Sequence, residues 1–204
     1  MSGSEEALRC LQEMEKLTDD TEIVFELDRL HAIGVGLRGQ VGPRGTLESP
    51  AVALLETEEL RPLRRLLKHP HAEVRCAAAL AISEWGGDDD VPLLVDQLLS
   101  DDEPNETKLH HVVALRVLGG PKATEGLCQA ASNSSEQEDI RRASVAALGV
   151  LASPAGYAKS GSQFRTATEG AAVEAARASL MRVAVDPVAS SYLCLAAREI
   201  AEEI

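Results

Sequence analysis

Residues 74–87 read VRCAAALAISEWGG, and two later stretches follow the same plan, TKLHHVVALRVLGG from 107 and IRRASVAALGVLAS from 140. The starts are 33 residues apart both times, and the chemistry agrees column by column. Val74 is matched by Thr107 and Ile140; Arg75 by Lys108 and Arg141; Ala81 by Ala114 and Ala147. Further along, Ile82 is matched by Leu115 and Leu148, and Trp85 by Leu118 and Leu151. Equal steps with agreement of this kind mark an internal repeat. Within the first copy Val74, Ala77, Ala78, Ala81, Ile82 and Trp85 fall on one stripe of a helix of 3.6-residue period. The predicted packing core of the repeats is therefore Val74, Ala81, Ile82, Trp85, Leu115, Leu118, Ile140, Leu148 and Leu151. Small residues along the stripe let a neighbouring helix come close. Trp85 fills the wider gap at the stripe's end, and the glycines after it stop the helix.

Each copy is preceded by a second apolar segment, ELRPLRRLLKHP at 59–70, DVPLLVDQLLSDDEP at 90–104 and KATEGLCQAASNSSE at 122–136, with polar turns between the two members. The unit is helix, turn, helix. Pro62 lies inside its helical pattern and predicts a kink, whereas Pro92 and Pro121 stand near helix starts. Outward from the repeats, SEEALRCLQEMEKL and DTEIVFELDRLHAI predict an N-terminal helical hairpin with Ser4 and Asp20 as N-caps. At the other end TEGAAVEAARASLMRVAV and PVASSYLCLAAREIAEEI predict a fourth hairpin, with Val188 in the place of Val74.

These readings divide the chain into a cap hairpin at 1–33, a glycine-rich loop at 34–50, three repeats at 51–153, an insertion loop at 154–165 and a C-terminal hairpin at 166–204. The fold class is all-α, a superhelix of about four to five helical hairpins. Apolar residues at 45% and aromatics at 2% agree with closely packed, alanine-rich helices.

The residues LRRLLKHPHAEVRCAAALAISEWGG and their two echoes resemble the HEAT repeats of the armadillo-like α-solenoids, in the short form found in bilin lyases. The family's Val-Arg motif maps onto Val74-Arg75 and Ile140-Arg141, with Lys108 a weaker match. The resemblance implies that an Asp in each turn bonds the Arg of a neighbouring repeat. Asp102 stands at that place here, but His69 and Ser135 replace it in the other copies. It also implies a concave face lined by the second helices. Off their core stripe lie Ser83, Arg116 and Gly149 in one column and Cys76, Leu109 and Arg142 in another, flanked by Arg75, Lys108 and Arg141. The candidate partner-binding residues are Arg75, Lys108, Arg116, Arg141 and Arg142, and the partner is another protein offering an acidic or mixed segment. Two alternatives stand beside this. One is a tetrapyrrole-binding chaperone or enzyme like the bilin lyases; the other is a homo-oligomer associating through apolar columns such as Leu80 with Val113.

Charge and motifs narrow the field. Twenty Lys+Arg against thirty-three Asp+Glu give a net charge of −13, which repels a phosphate backbone and argues against nucleic acid. No stretch approaches the roughly 18 apolar residues of a membrane span, and the acidic start has no apolar signal core, so a cytoplasmic protein is predicted. Cys10, Cys76, Cys128 and Cys194 lie far apart in helical patterns and read as reduced core residues. His69 with His71, and His110 with His111, lack a carboxylate or thiolate at ligand spacing, so no metal is assigned. His110 and His111 are expected at the stripe's border or at a break in the repeat. Residues 34–50 carry Gly36, Gly39, Gly42 and Gly45 without the Gly-Lys-Ser/Thr of a phosphate loop. With no nucleophile elbow and no activated cysteine, no catalytic residue and no cofactor is assigned, and the chain is expected not to be an enzyme.

Overall fold

A computed structural model of the chain describes residues 3–40, 55, 58–152 and 170–204. Among the described residues there are ten α-helices and no strand, in two compact units, Met1–Asp90 and Val91–Ile204. The division falls between the first and second repeats. The predicted insertion at 154–165 and residues 41–50 of the glycine-rich segment lie outside the described residues.

The first unit holds α1 (Gly3–Met14), α2 (Asp20–Gln40), α3 (Arg61–Leu66) and α4 (Ala72–Trp85). Helix α1 buries Ala7, Cys10, Leu11 and Met14 against Ile23, Leu27 and Leu30 of α2, and α2 runs along α4. The cap of α2 is Asp19, one residue before the predicted Asp20: its carboxylate accepts from the backbone N–H groups of Thr21 and Glu22 at 2.9 and 3.2 Å. Helix α1 in turn begins at Gly3, so Ser4 lies within it instead of before it. Helix α2 continues through residues 34–40, which the sequence assigns to a loop. Gly34 explains the difference. A Cβ there would lie 2.5 Å from Glu84 Cβ and 3.1 Å from Trp85 Nε1, so this glycine is the point where α2 and α4 approach, not a chain breaker. Pro62 produces no kink, because α3 starts at Arg61 and places the proline in its first turn, where an N–H is not needed.

The second unit stacks three hairpins: α5 (Val91–Leu98) with α6 (Asn105–Leu118), α7 (Gly120–Ser132) with α8 (Glu138–Ala152), and α9 (Gly170–Ala184) with α10 (Ser191–Glu203). Gly119 and Gly120 turn α6 into α7 at φ of 66° and 84°, a left-handed conformation that side chains resist. Ser190 caps α10 by accepting from Leu193 N–H at 3.2 Å. Leu193, fully buried, is the counterpart of Val74; Val188 sits in the preceding turn and is exposed. Helices α7 and α9 meet across small polar groups: Ser132 Oγ lies 2.7 Å from Ser179 Oγ, which donates to the Cys128 carbonyl at 3.1 Å.

One buried column is imperfect. Ser144 of α8 is fully buried and its hydroxyl has no hydrogen-bond partner, whereas the same column holds Ala78 in the first repeat. A buried hydroxyl without a partner costs free energy that a methyl does not. Ser144→Ala should therefore stabilise the protein by about 1 kcal/mol, read as a higher urea midpoint at unchanged slope; a lower midpoint would show that the hydroxyl contributes favourably.

Candidate interaction face

The second helices α4, α6 and α8 each bury their core stripe, and all nine predicted packing residues, from Val74 to Leu151, are buried. What the opposite faces offer depends on the cations. Arg75, in the first unit, is half-buried and its Nη1 donates to the carbonyls of His69 and Pro70 at 2.6 and 2.9 Å, tying down the turn before its own helix.

In the second unit Lys108 and Arg141 are not on an open rim. Lys108 is 4% exposed and pairs through Nζ with Glu136 at 2.6 Å; Arg141 is 3% exposed, its Nε donating to the Ala131 carbonyl and its Nη2 to Asp186 at 2.6 Å. Each acid comes from the turn of the following hairpin, so these pairs hold one hairpin to the next. The family's motif places that acid at the position Ser135 occupies; here Glu136, one residue on, supplies it. In the C-terminal hairpin Asp186 was hidden by the change of register. The Val188 N–H, and then the Arg141 guanidinium, hold the Asp186 carboxyl below its usual value of 3.8. Its stabilising effect is complete above that value and is lost as pH falls below it.

The remaining candidates divide. Arg116 and Arg142 are exposed, Arg142 sharing an ion pair with Asp139 at 3.1 Å. Beside them on α6 and α8 lie half-buried Leu109 and exposed Val113 and Ala146. Gly149, assigned from sequence to the same open column as Arg116, instead lies against Ile200 of α10. In the first unit Ser83 is buried and donates to the Leu80 carbonyl, while Cys76 and Leu80 are half-buried.

The groups with chemical potential elsewhere are used structurally. His71 Nδ1 and His69 Nε2 lie 2.9 and 3.6 Å from the Asp20 carboxylate. No three His, Cys, Asp or Glu side chains among the described residues are grouped to hold a metal ion. His111 is fully buried, 4.0 Å from Glu103, and His110 Nδ1 lies 2.8 Å from the Glu106 carbonyl. None of the four cysteines forms a disulfide. Burial pushes the Cys10 thiol up to about 11 and raises Cys128 as well, which keeps both protonated and poorly nucleophilic at neutral pH. No helix among the described residues is long and apolar enough to cross a membrane.

Residues 51–116 match the family model described as HEAT repeats, a span that contains α3, α4 and α5 and most of α6. No curated protein matches the chain.

Proposed function

We propose, on the premise that this chain is a HEAT-repeat protein, that it is a non-catalytic interaction module of the cytoplasm, an adaptor, scaffold or regulatory subunit that holds another protein on α6 and α8 of the second unit. HEAT repeats mediate protein–protein interaction through extended surfaces of this kind. The observation that carries the reading is the contrast between cations. Lys108 and Arg141 are consumed in holding hairpins together, whereas Arg116 and Arg142 remain exposed beside Leu109, Val113 and Ala146. An apolar strip with arginines at its margin suits a protein segment with apolar and acidic residues, because arginine forks pair with carboxylates and the apolar centre excludes water. The net charge of −13 disfavours anionic partners at long range, so an acidic segment is accepted through this local basic margin.

Arg116→Glu combined with Arg142→Glu should leave the thermal midpoint within about a degree of wild type, since exposed substitutions seldom change stability much. The same variant should lose its natural partner by tenfold or more, roughly the effect of reversing two contacting charges. Quantitative recovery of interactors from native lysate checks this. Equal recovery by both proteins would mean that this face is unused.

A further inference from the structure

Helix α2 packs along two sides and leaves a third bare. Ile23, Leu27 and Leu30 are buried with α1, and Gly34 and the Leu30 carbonyl meet α4 at Trp85. Phe25 stands about 200° round the helix from Ile23, so it faces away from that stripe. Its ring is 67% exposed and takes no part in the core. Exposed aromatic rings of this kind are the anchors that protein interfaces use.

The ring is not an isolated apolar group. Phe25 and Leu17 floor an open cleft of about 640 Å³ where α1 turns into α2, walled by Glu13 and Lys16 on one side and by Glu22 and Glu26 on the other. Three glutamates thus face one lysine. The surroundings are acidic with every ion pair counted: residues 1–33 hold nine Asp and Glu against three Lys and Arg, a net −6, nearly half of the chain's −13 on less than a fifth of its length. Arg9, which pairs with Glu13 at 3.5 Å, and Arg29, which pairs with Glu6 and Glu26 at 3.1 and 3.5 Å, are both within that count.

An apolar floor under acidic walls selects a segment that presents large apolar side chains beside lysine or arginine. The walls attract the cations, and the floor takes up the apolar groups once water is displaced. A helix supplies that pattern, with apolar anchors one turn apart on one face and cations flanking them.

We propose that the α1–α2 cleft is a docking site for a basic amphipathic helix of a partner protein. Its apolar side chains seat on Leu17 and Phe25, and its lysines and arginines meet Glu13, Glu22 and Glu26. The charge preference is the reverse of that of the strip on α6 and α8, and the site lies in the other compact unit. It stands independently of the partner assigned to Arg116 and Arg142.

Fluorescence anisotropy on the full chain tests the proposal with three labelled peptides of about 18 residues, roughly five turns of helix. The first carries leucine and lysine in helical pattern, the second has glutamate in place of lysine, and the third has serine in place of leucine. Only the first should bind saturably. Phe25→Ser should bind it at least about tenfold more weakly, and Glu22→Lys should weaken it and flatten its dependence on salt. Both positions are exposed, so thermal midpoints matching wild type establish that these variants fold. Arg116→Glu with Arg142→Glu should bind the first peptide at least as tightly as wild type. Failure of the leucine–lysine peptide to bind overturns the proposal, as does unchanged affinity for Phe25→Ser. Equal binding of the serine peptide would reduce the attraction to net charge, and equal binding of the glutamate peptide would remove the acidic walls from it; either result overturns it. Growth in mass of the chain alone with concentration, abolished by Phe25→Ser in sedimentation velocity, would put a second copy in the cleft and overturn it as well.

Discussion

Trp85→Ala is expected to destabilise the first unit by about 3–5 kcal/mol, the range for removing a large buried aromatic side chain. The indole is 3% exposed and fills the space between α4 and α2, and its Nε1 donates to the Leu30 carbonyl at 2.9 Å. The substitution therefore leaves a cavity and also removes a buried hydrogen bond. Alanine cannot be compensated by collapse of the helices, since α2 and α4 already touch at Gly34. Trp85→Phe separates the two contributions: it keeps most of the packing and loses the donor, at a cost of about 1 kcal/mol for the hydrogen bond. Urea unfolding followed by circular dichroism gives both values. A wild-type midpoint for Trp85→Ala would show that the ring does not hold the two helices together.

Asp90→Ala follows, at about 3 kcal/mol, because it removes one partner of a buried ion pair and leaves the other charge behind. The Asp90 carboxylate is 1% exposed and accepts from Arg64 Nε at 2.6 Å and Nη2 at 3.2 Å, and from the Gly87 N–H at 3.0 Å. Gly86 stands close enough that a Cβ would come within 3.0 Å of that carboxylate. The glycines after Trp85 thus do more than stop a helix; they make room for an acid that locks the turn to α3. Arg64→Leu in the Asp90→Ala background should restore part of the loss, since an apolar pair is often no worse than a buried ionic one. A double-mutant cycle measures the coupling. Strict additivity of the two substitutions would contradict a direct pair.

The helical fold was legible in the sequence because the repeat is carried by periodic apolar columns, and burial depends on little else. Val74, Ile82, Leu115 and Leu148 could be placed by spacing alone. The polar bonds were less legible, because they depend on where turns come in space. Asp90 lies in the run Asp88-Asp89-Asp90, which reads as a solvated acidic cluster, yet its last member is buried. Ser135 replaces the motif's Asp, and the acid comes instead from Glu136, because the longer reach of glutamate lets it act from one residue later. Lys108 and Arg141 consequently looked like surface cations. Arg116 and Arg142 stand exposed, whereas Ser83 and Gly149, in the same column as Arg116, are covered, so helix phase alone does not fix exposure off the core stripe. Residues 34–40 read as loop in the sequence because a glycine admitting a neighbouring helix and a glycine ending one are identical there.

The chain's single indole has an experimental corollary. Trp85 belongs to Met1–Asp90, and none of its counterparts in Val91–Ile204 is a tryptophan, so intrinsic emission excited at the red edge is a local gauge of one unit while far-ultraviolet ellipticity averages over both. Coincident curves from the two signals would signify a single cooperative melt. Separated curves would assign each transition to its half of the molecule without any label being attached.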